Sequence, residues 1–302
     1  MIKIAYGAPT HISALPVRYG VARGIFAQAG LDLSVRTIFG GPELALALDR
    51  GALWIGEIGS PPGITAIAHG AGLRIVASAE KRPALMYLGL HQSIEAWSEL
   101  RGERIGVLTT GSCGYWFLRE ILTRNGLDPD RDVEIVQLGK RYPDVLQLIE
   151  DRIIEGALLV EPFLSTCVLN GTVRNWGCVA ALDYIPPLQW SVQVARTAMI
   201  EEQPDTVRRT LDAVAGATRA AYGDVADYAA FLSNYLKLPL AVAEHAVERE
   251  RKLVALDGEL DLTGLTNAIE LQVTLGGIPA GIKLDDVIDR RFARGAAAAN
   301  SS

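Results

Sequence analysis

The sequence predicts an α/β chain of two lobes, each a mostly parallel sheet flanked by helices, with a ligand cleft between them. Three observations carry that expectation. Strand-like apolar runs alternate with helix-like runs from the first residues onward, an order that builds parallel sheets with helical crossovers. The polar stretch "QSIEAWSELRGER" at 92–104 interrupts the alternation, which then restarts. Five strand-to-helix corners also carry helix-start residues: Pro16, Gly41-Pro42-Glu43, Ser60-Pro61, Thr110-Gly111-Ser112 and Glu161-Pro162.

The first lobe reads in order. "IKIAYG" leads into the helical "LPVRYGVARGIFAQAG", "LDLSVRTIF" into "GGPELALALDRG", and "ALWIGEIG" into "SPPGITAIAHGAG"; "LRIVASAE" follows. Ser60 reads as a helix N-cap and Pro61 as the first helical position, where its missing N–H costs nothing. In the second lobe "RIGVLTT" precedes "GSCGYWFLREILTRNG", "VEIVQL" precedes "YPDVLQLIEDRI", and "GALLVE" precedes "PFLSTCVLNG"; "CVAALD" ends the series. After "IPPLQWSVQVA" the chain turns largely helical, through residues 204–223, 225–238, 239–253 and 264–278. These helices have apolar positions at helical spacing and charged opposite faces, so His245 is expected to face solvent. The expected division is 1–91 plus 190–292 for the first lobe, 92–189 for the second, and a disordered tail at 293–302.

Bulk properties narrow the function. A net charge of −6 without a long basic run gives no reason to expect a nucleic-acid partner. No apolar run is long enough to span a bilayer. Three cysteines, Cys113, Cys167 and Cys178, without tight spacing, indicate neither a disulfide framework nor a zinc site. No metal and no cofactor is expected, and the chain is expected to be a monomer. Met1 runs directly into the first strand, so the protein is expected outside the cytoplasm if a leader is removed, and in the cytoplasm otherwise.

Ligands of open α/β sheets sit beyond the carboxyl ends of the strands. Helix N-termini from both lobes would face such a cleft and favour a small anion. In the second lobe Thr110, Gly111 and Ser112 form a cradle of small and hydroxyl residues before a helix. Cys113 stands at that helix N-terminus, where a thiol pKa falls, and His11 is the one histidine placed near the cleft to act as its base. One of Tyr115 and Trp116 is expected to face the cleft while the other packs inward. Lys140 and Arg141 follow "VEIVQL" at a strand's carboxyl end, so Arg141 can meet a ligand charge. Glu161 either caps its helix or meets an N–H-bearing part of a ligand. Trp190 lines the hinge or the cleft. Glu43 offsets a helix dipole, whereas Tyr6 and Trp54 read as core.

The order of these segments resembles the type II periplasmic binding fold of the sulfonate-, taurine- and nitrate-binding proteins and their thiamine-pyrimidine (NMT1/THI5-like) relatives. The resemblance rests on "GIFAQAGLDLSV" at 24–35, "GGPELALALDRGALWIGEIGSPPGITAIAHGAGLRIVAS" at 40–78, "SELRGERIGVLTTGSCGYWFLREILTRNGLD" at 98–128 and "DVLQLIEDRIIEGALLVEPFLSTCVLNGTVR" at 144–174. Val160 stands where the family commonly has tryptophan before its acidic-proline corner, and the clustered cysteines of the fungal pyrimidine-synthesising branch are absent. The resemblance implies a solute-binding protein of an ABC importer that closes on a small organic anion and docks on a membrane permease. It also implies ligand contacts at Thr10, His11 and Ser13, at Gly41 and Pro42, and at Ser60 and Pro61. The competing expectation is a cytoplasmic enzyme on the same fold, using Cys113 and His11. A transcription-regulator effector domain is a third, and no helix-turn-helix segment supports it.

Overall fold

Two five-stranded sheets, each flanked by helices, make up the computed structural model, which describes residues 1–80, 86–178, 187–251 and 254–292. The first lobe starts with β1 (Ile2–Ala8), α1 (Leu15–Ala22), α2 (Ile25–Gln28) and β2 (Leu31–Thr37). It continues through α3 (Gly41–Asp49), β3 (Ile55–Gly59), α4 (Ser60–Ala68) and β4 (Leu73–Glu80). The second comprises β5 (Met86–His91), β6 (Arg104–Val107), α5 (Cys113–Arg124), β7 (Glu134–Gln137), α6 (Val145–Glu150), β8 (Gly156–Val160), α7 (Phe163–Asn170) and β9 (Val173–Cys178). The chain then returns through β10 (Ser191–Arg196) and the helices α8 (Thr197–Glu202), α9 (Pro204–Gly223), α10 (Val225–Leu236), α11 (Leu240–Glu250), α12 (Leu262–Thr274) and α13 (Leu284–Val287). Among the described residues no helix is long and apolar enough to cross a membrane.

The sheets run in the orders β2-β1-β3-β10-β4 and β7-β6-β8-β5-β9. In the first, β1 pairs parallel with β2 and β3, while β10 lies antiparallel between β3 and β4. The second repeats this plan: β6 pairs parallel with β7 and β8, while β5 lies antiparallel between β8 and β9. Each sheet is thus mostly parallel with one reversed strand, and that strand enters from the other lobe. The boundary expected at residue 91 moves accordingly, because Met86–His91 belongs to the second sheet. Its run "MYLGL" is buried on both faces, so it shows no alternation to mark it as a strand.

Local chemistry explains other departures. The single helix expected over 15–30 is two, because Gly24 breaks it with a left-handed backbone, φ 73°. Residues 139–144 form a 3-10 turn before α6. The strand expected at 178–183 and the disordered tail expected at 293–302 lie, but for Cys178, outside the described residues; β9 ends at Cys178.

The lobes meet face to face. One continuous apolar cluster runs from Leu44, Ile58 and Ile64 of the first lobe to Met86, Val107, Phe117 and Leu158 of the second. Ile12, in the loop after β1, packs into the second lobe's cluster with Tyr87, Leu138 and Tyr142. The Phe117 and Trp190 rings approach to 5.8 Å between centroids. Polar contacts cross as well: Glu161 pairs with Arg249 at 3.0 Å, and Ser165 Oγ lies 2.9 Å from His245 Nδ1. His245 is therefore exposed, as expected, but tied to the other lobe.

Gly59 ends β3 directly against the start of α5, and a β-carbon there would overlap the Cys113 sulfur. Gly59→Ala should therefore cost about 1–3 kcal/mol by overpacking, read as a lower denaturation midpoint. Cys113→Ala in that background should restore much of the loss, because it removes the overlapping sulfur.

Candidate functional site

The loops at the strand ends enclose a cavity of about 120 Å³ between the lobes, on the scale of a site that accepts one aromatic ring. From the first lobe it is lined by Thr10, Ile12 and Ser13 after β1, Gly41 at the start of α3, Glu57 to Gly59 of β3, Pro62, Glu80, Trp190, Ser191 and Glu250. The second lobe adds Met86, Leu108, Ser112 to Gly114, Tyr142, Leu158, Val160 and Glu161.

Arg18 holds the first loop in shape. It donates to the carbonyls of Ser13 at 3.1 Å and Thr10 at 3.3 Å, and to Thr37 Oγ1 at 2.9 Å. The Thr10 and Ser13 hydroxyls are 2.6 Å apart. Across the cleft, Ser112 caps α5 and accepts from the Tyr115 amide at 3.4 Å. Tyr142 is buried and donates to the Leu158 carbonyl at 2.9 Å. Glu161 accepts from the Ser165 amide at 3.0 Å while its other oxygen pairs with Arg249.

Thr10, Ser13, Gly41, Ser112, Cys113, Glu161 and Trp190 thus line the cavity as expected. The other expected residues do not. Ser60 is the first residue of α4, with Gly59 as its cap; its hydroxyl donates to the Gln189 carbonyl and its amide to the Trp190 carbonyl. It locks the returning chain to α4 and is fully buried. Pro61 turns its carbonyl to Gln272, leaving Pro62 at the cavity wall. Pro42 lies outside the lining, as do Thr110, whose amide bonds Gln137, and Gly111, which has a left-handed backbone. Tyr115 and Trp116 both point away. Tyr115 lies under Arg119, and Trp116 packs beside Gly277. Arg141 is exposed on the 3-10 turn, and its neighbour Tyr142 turns inward instead.

The cysteine–histidine pairing expected for an enzyme is not built. Cys113 is buried, and burial pushes its thiol far above the ordinary range rather than lowering it. Apolar enclosure outweighs the helix terminus there. His11 is absent from the cavity wall; its ring is half-buried and its pKa lowered, first by desolvation and then by Arg18.

Sequence reasoning missed the strongest feature of the site, which is its carboxylates. Glu57, Glu80, Glu161 and Glu250 all line the cavity, and none of the described lining residues is Lys, Arg or His. An anionic ligand, the expectation from the helix termini, would therefore meet like charge wherever these carboxyls are ionised. Burial pushes Glu57 up to about 7 and Glu250 up to about 8, with Glu161 adding to the rise at Glu250. Glu80 is also pushed up, by burial and then by Glu57 and Glu250, despite hydrogen bonds from Ser191 and Trp190. A charge inside the apolar run "LWIGEIG" was the legible sign of Glu57. Glu250 sits in a helix rich in charge, so nothing in the sequence singles it out. Among the described residues, no three acidic, cysteine or histidine side chains are grouped to hold a metal ion.

With this geometry in view, the comparisons with known proteins fall into place. The chain belongs to the NMT1-like family, whose profile it matches over residues 1–233. It is 23% identical over 273 residues to BAB2_1146 of Brucella abortus (strain 2308), spanning 87% of this chain and 82% of that protein. The name of that relative states binding and no solute. Among solved structures, the alkanesulfonate-binding protein SsuA from Xanthomonas axonopodis pv. citri, bound to MOPS, superposes with a TM-score of 0.79 at 17% identity, over 95% of this chain and 97% of that one. The ligand-binding component of an ABC-type import system from Staphylococcus aureus, with zinc bound, gives 0.76 at 15% identity, over 98% of each chain. The architecture is the type II periplasmic binding fold.

The raised carboxyls make stability depend on pH. A group that holds its proton more tightly when folded contributes its full stability below its unfolded value near 4.5, and that contribution is lost as pH rises through about 7 to 8. Glu57→Gln and Glu250→Gln should each leave the melting temperature of the empty protein unchanged near pH 4. Above pH 8 each should raise it, reflecting a gain in stability of up to on the order of 3 kcal/mol. Melting curves across that range check both.

Proposed function

We propose that the chain is the solute-binding component of an ABC importer, working outside the cytoplasmic membrane and delivering its solute to a permease. One observation carries the reading: the cavity wall is divided between two lobes that meet through apolar packing, the Glu161–Arg249 pair and the Ser165–His245 contact. A wall built that way is complete only when the lobes are together, so a solute binds by holding them together. The names of the structural relatives support the same role. Burial keeps the Cys113 thiol protonated, which counts against cysteine-based turnover, and in this reading the solute is bound and released unchanged.

The reading is tested by thermal shifts against alkyl and aryl sulfonates, taurine, nitrate, aromatic carboxylates, pyrimidines and organic amines, followed by recovery of the solute. A stabilising solute recovered intact, with a smaller radius of gyration on binding, is the expected result. A solute consumed in the well overturns the reading. Arg249→Ala should leave Glu161 buried without its partner across the cleft, and so weaken closure. The expected signs are a destabilisation of about 3–5 kcal/mol and a larger radius of gyration in solution scattering.

A further inference from the structure

We propose that the solute of this cavity is a small organic cation, about one ring in size, whose N–H groups meet the free carboxylate oxygens of Glu57 and Glu250. The inference rests on the solute-binding reading above and deepens it.

Two observations point to a ligand rather than to a mere acidic cluster. The first is the cavity between the lobes, lined by Glu57, Glu80, Glu161 and Glu250 together with apolar surface. The second is the state of two of those side chains. Glu57 and Glu250 are only 9% and 8% exposed. Oε1 of Glu57 accepts from the Ala14 amide at 3.2 Å, and Oε2 of Glu250 accepts from the Tyr222 hydroxyl at 3.2 Å. The other oxygen of each has no hydrogen-bond partner among the described residues. Side chains this buried are ordinarily fully hydrogen-bonded, and neither remaining oxygen is sealed off from accessible space.

Among the described residues, the two arginines nearest these carboxylates are already committed. Arg18 donates to Ser13, Thr10 and Thr37, and Arg249 pairs with Glu161. Neither lines the cavity. An incoming N–H donor would satisfy both free oxygens with charge-assisted hydrogen bonds. A carboxylate or sulfonate would face repulsion from the same atoms. The described residues form no metal-holding group, so the cation that fits is one whose charge is spread over a molecular frame. Met86, Leu158 and Trp190 supply an apolar wall for that frame, and the Trp190 ring suits a cation.

The placement also explains how binding and closure connect. Glu161 comes from the second lobe and Glu250 from the first, and the Glu161 carboxylate disfavours charge on Glu250. A cation between them removes that opposition and favours the closed arrangement.

Benzamidinium, benzamide and benzoate share one planar frame and differ in charge, so calorimetric titration of the intact protein with each provides the test. Benzamidinium should bind at least about tenfold tighter than benzamide, and benzoate should bind weakest. Glu57→Gln and Glu250→Gln should each lower the benzamidinium affinity by about tenfold and that of benzamide, a neutral N–H donor, by distinctly less, with circular dichroism confirming that both variants fold. Equal or tighter binding of benzoate, or no benzamidinium binding at about 10 mM, overturns the inference. If a sulfonate, carboxylate or neutral solute from the wider panel then binds and closes the lobes, the solute-binding role stands and only the cation falls. If nothing in either set binds, both fall.

Discussion

Exchange of one strand between the sheets is the constraint on which the rest of the structure depends. β5 sits antiparallel between β8 and β9 of the second sheet, and β10 between β3 and β4 of the first. Each lobe therefore contains a strand that the chain reaches directly from the other, so the two sheets cannot separate into independent domains. Ser60 reinforces the return crossing by bonding the Gln189 and Trp190 carbonyls from the start of α4. The carboxyl ends of the parallel strands are thereby set facing one another, and the cavity follows from that arrangement.

The interior of that cavity departs from what its scaffold favours by default. Helix N-termini at the strand ends attract negative charge, yet the wall carries glutamates from β3, β4, the β8–α7 corner and α11. Desolvation raises the proton affinity of Glu57, Glu80 and Glu250, and neighbouring carboxylates add to the rise at Glu80 and Glu250. Glu57, Glu80 and Glu250 are held on strands and a helix, and Glu161 at a corner between strand and helix, so the group is positioned by regular structure. It sets this protein apart from the anion-binding expectation that its outline alone suggests.

Much of the fold was legible in the sequence because it rests on local signals. Alternating apolar runs located the strands of both sheets except β5 and β9, and the corner residues located the helix starts. β5 was missed because a strand buried on both faces shows no period of two. The site was legible where it depends on chain direction at a corner. Ser112, Cys113 and Glu161 line the cavity because a strand-to-helix corner must lie at the sheet's carboxyl edge. Ser60, Thr110 and Arg141 occupy equally suggestive positions and yet bond to the protein or to solvent, since side-chain direction is decided by what packs beside them.

By itself the sequence determined the α/β class, the two-lobed plan, the family resemblance and the strand ends at which a ligand cleft would open. These follow from periodicity and from helix-start chemistry, which act over a few neighbouring residues. Only the tertiary structure decided the sign of the cavity. Glu57, Glu80 and Glu250 are widely separated along the chain and meet only in the folded first lobe, and Glu161 joins them from the second. The raised proton affinities of Glu57, Glu80 and Glu250 arise first from burial and, at Glu80 and Glu250, also from neighbouring carboxylates, which no single segment of sequence contains.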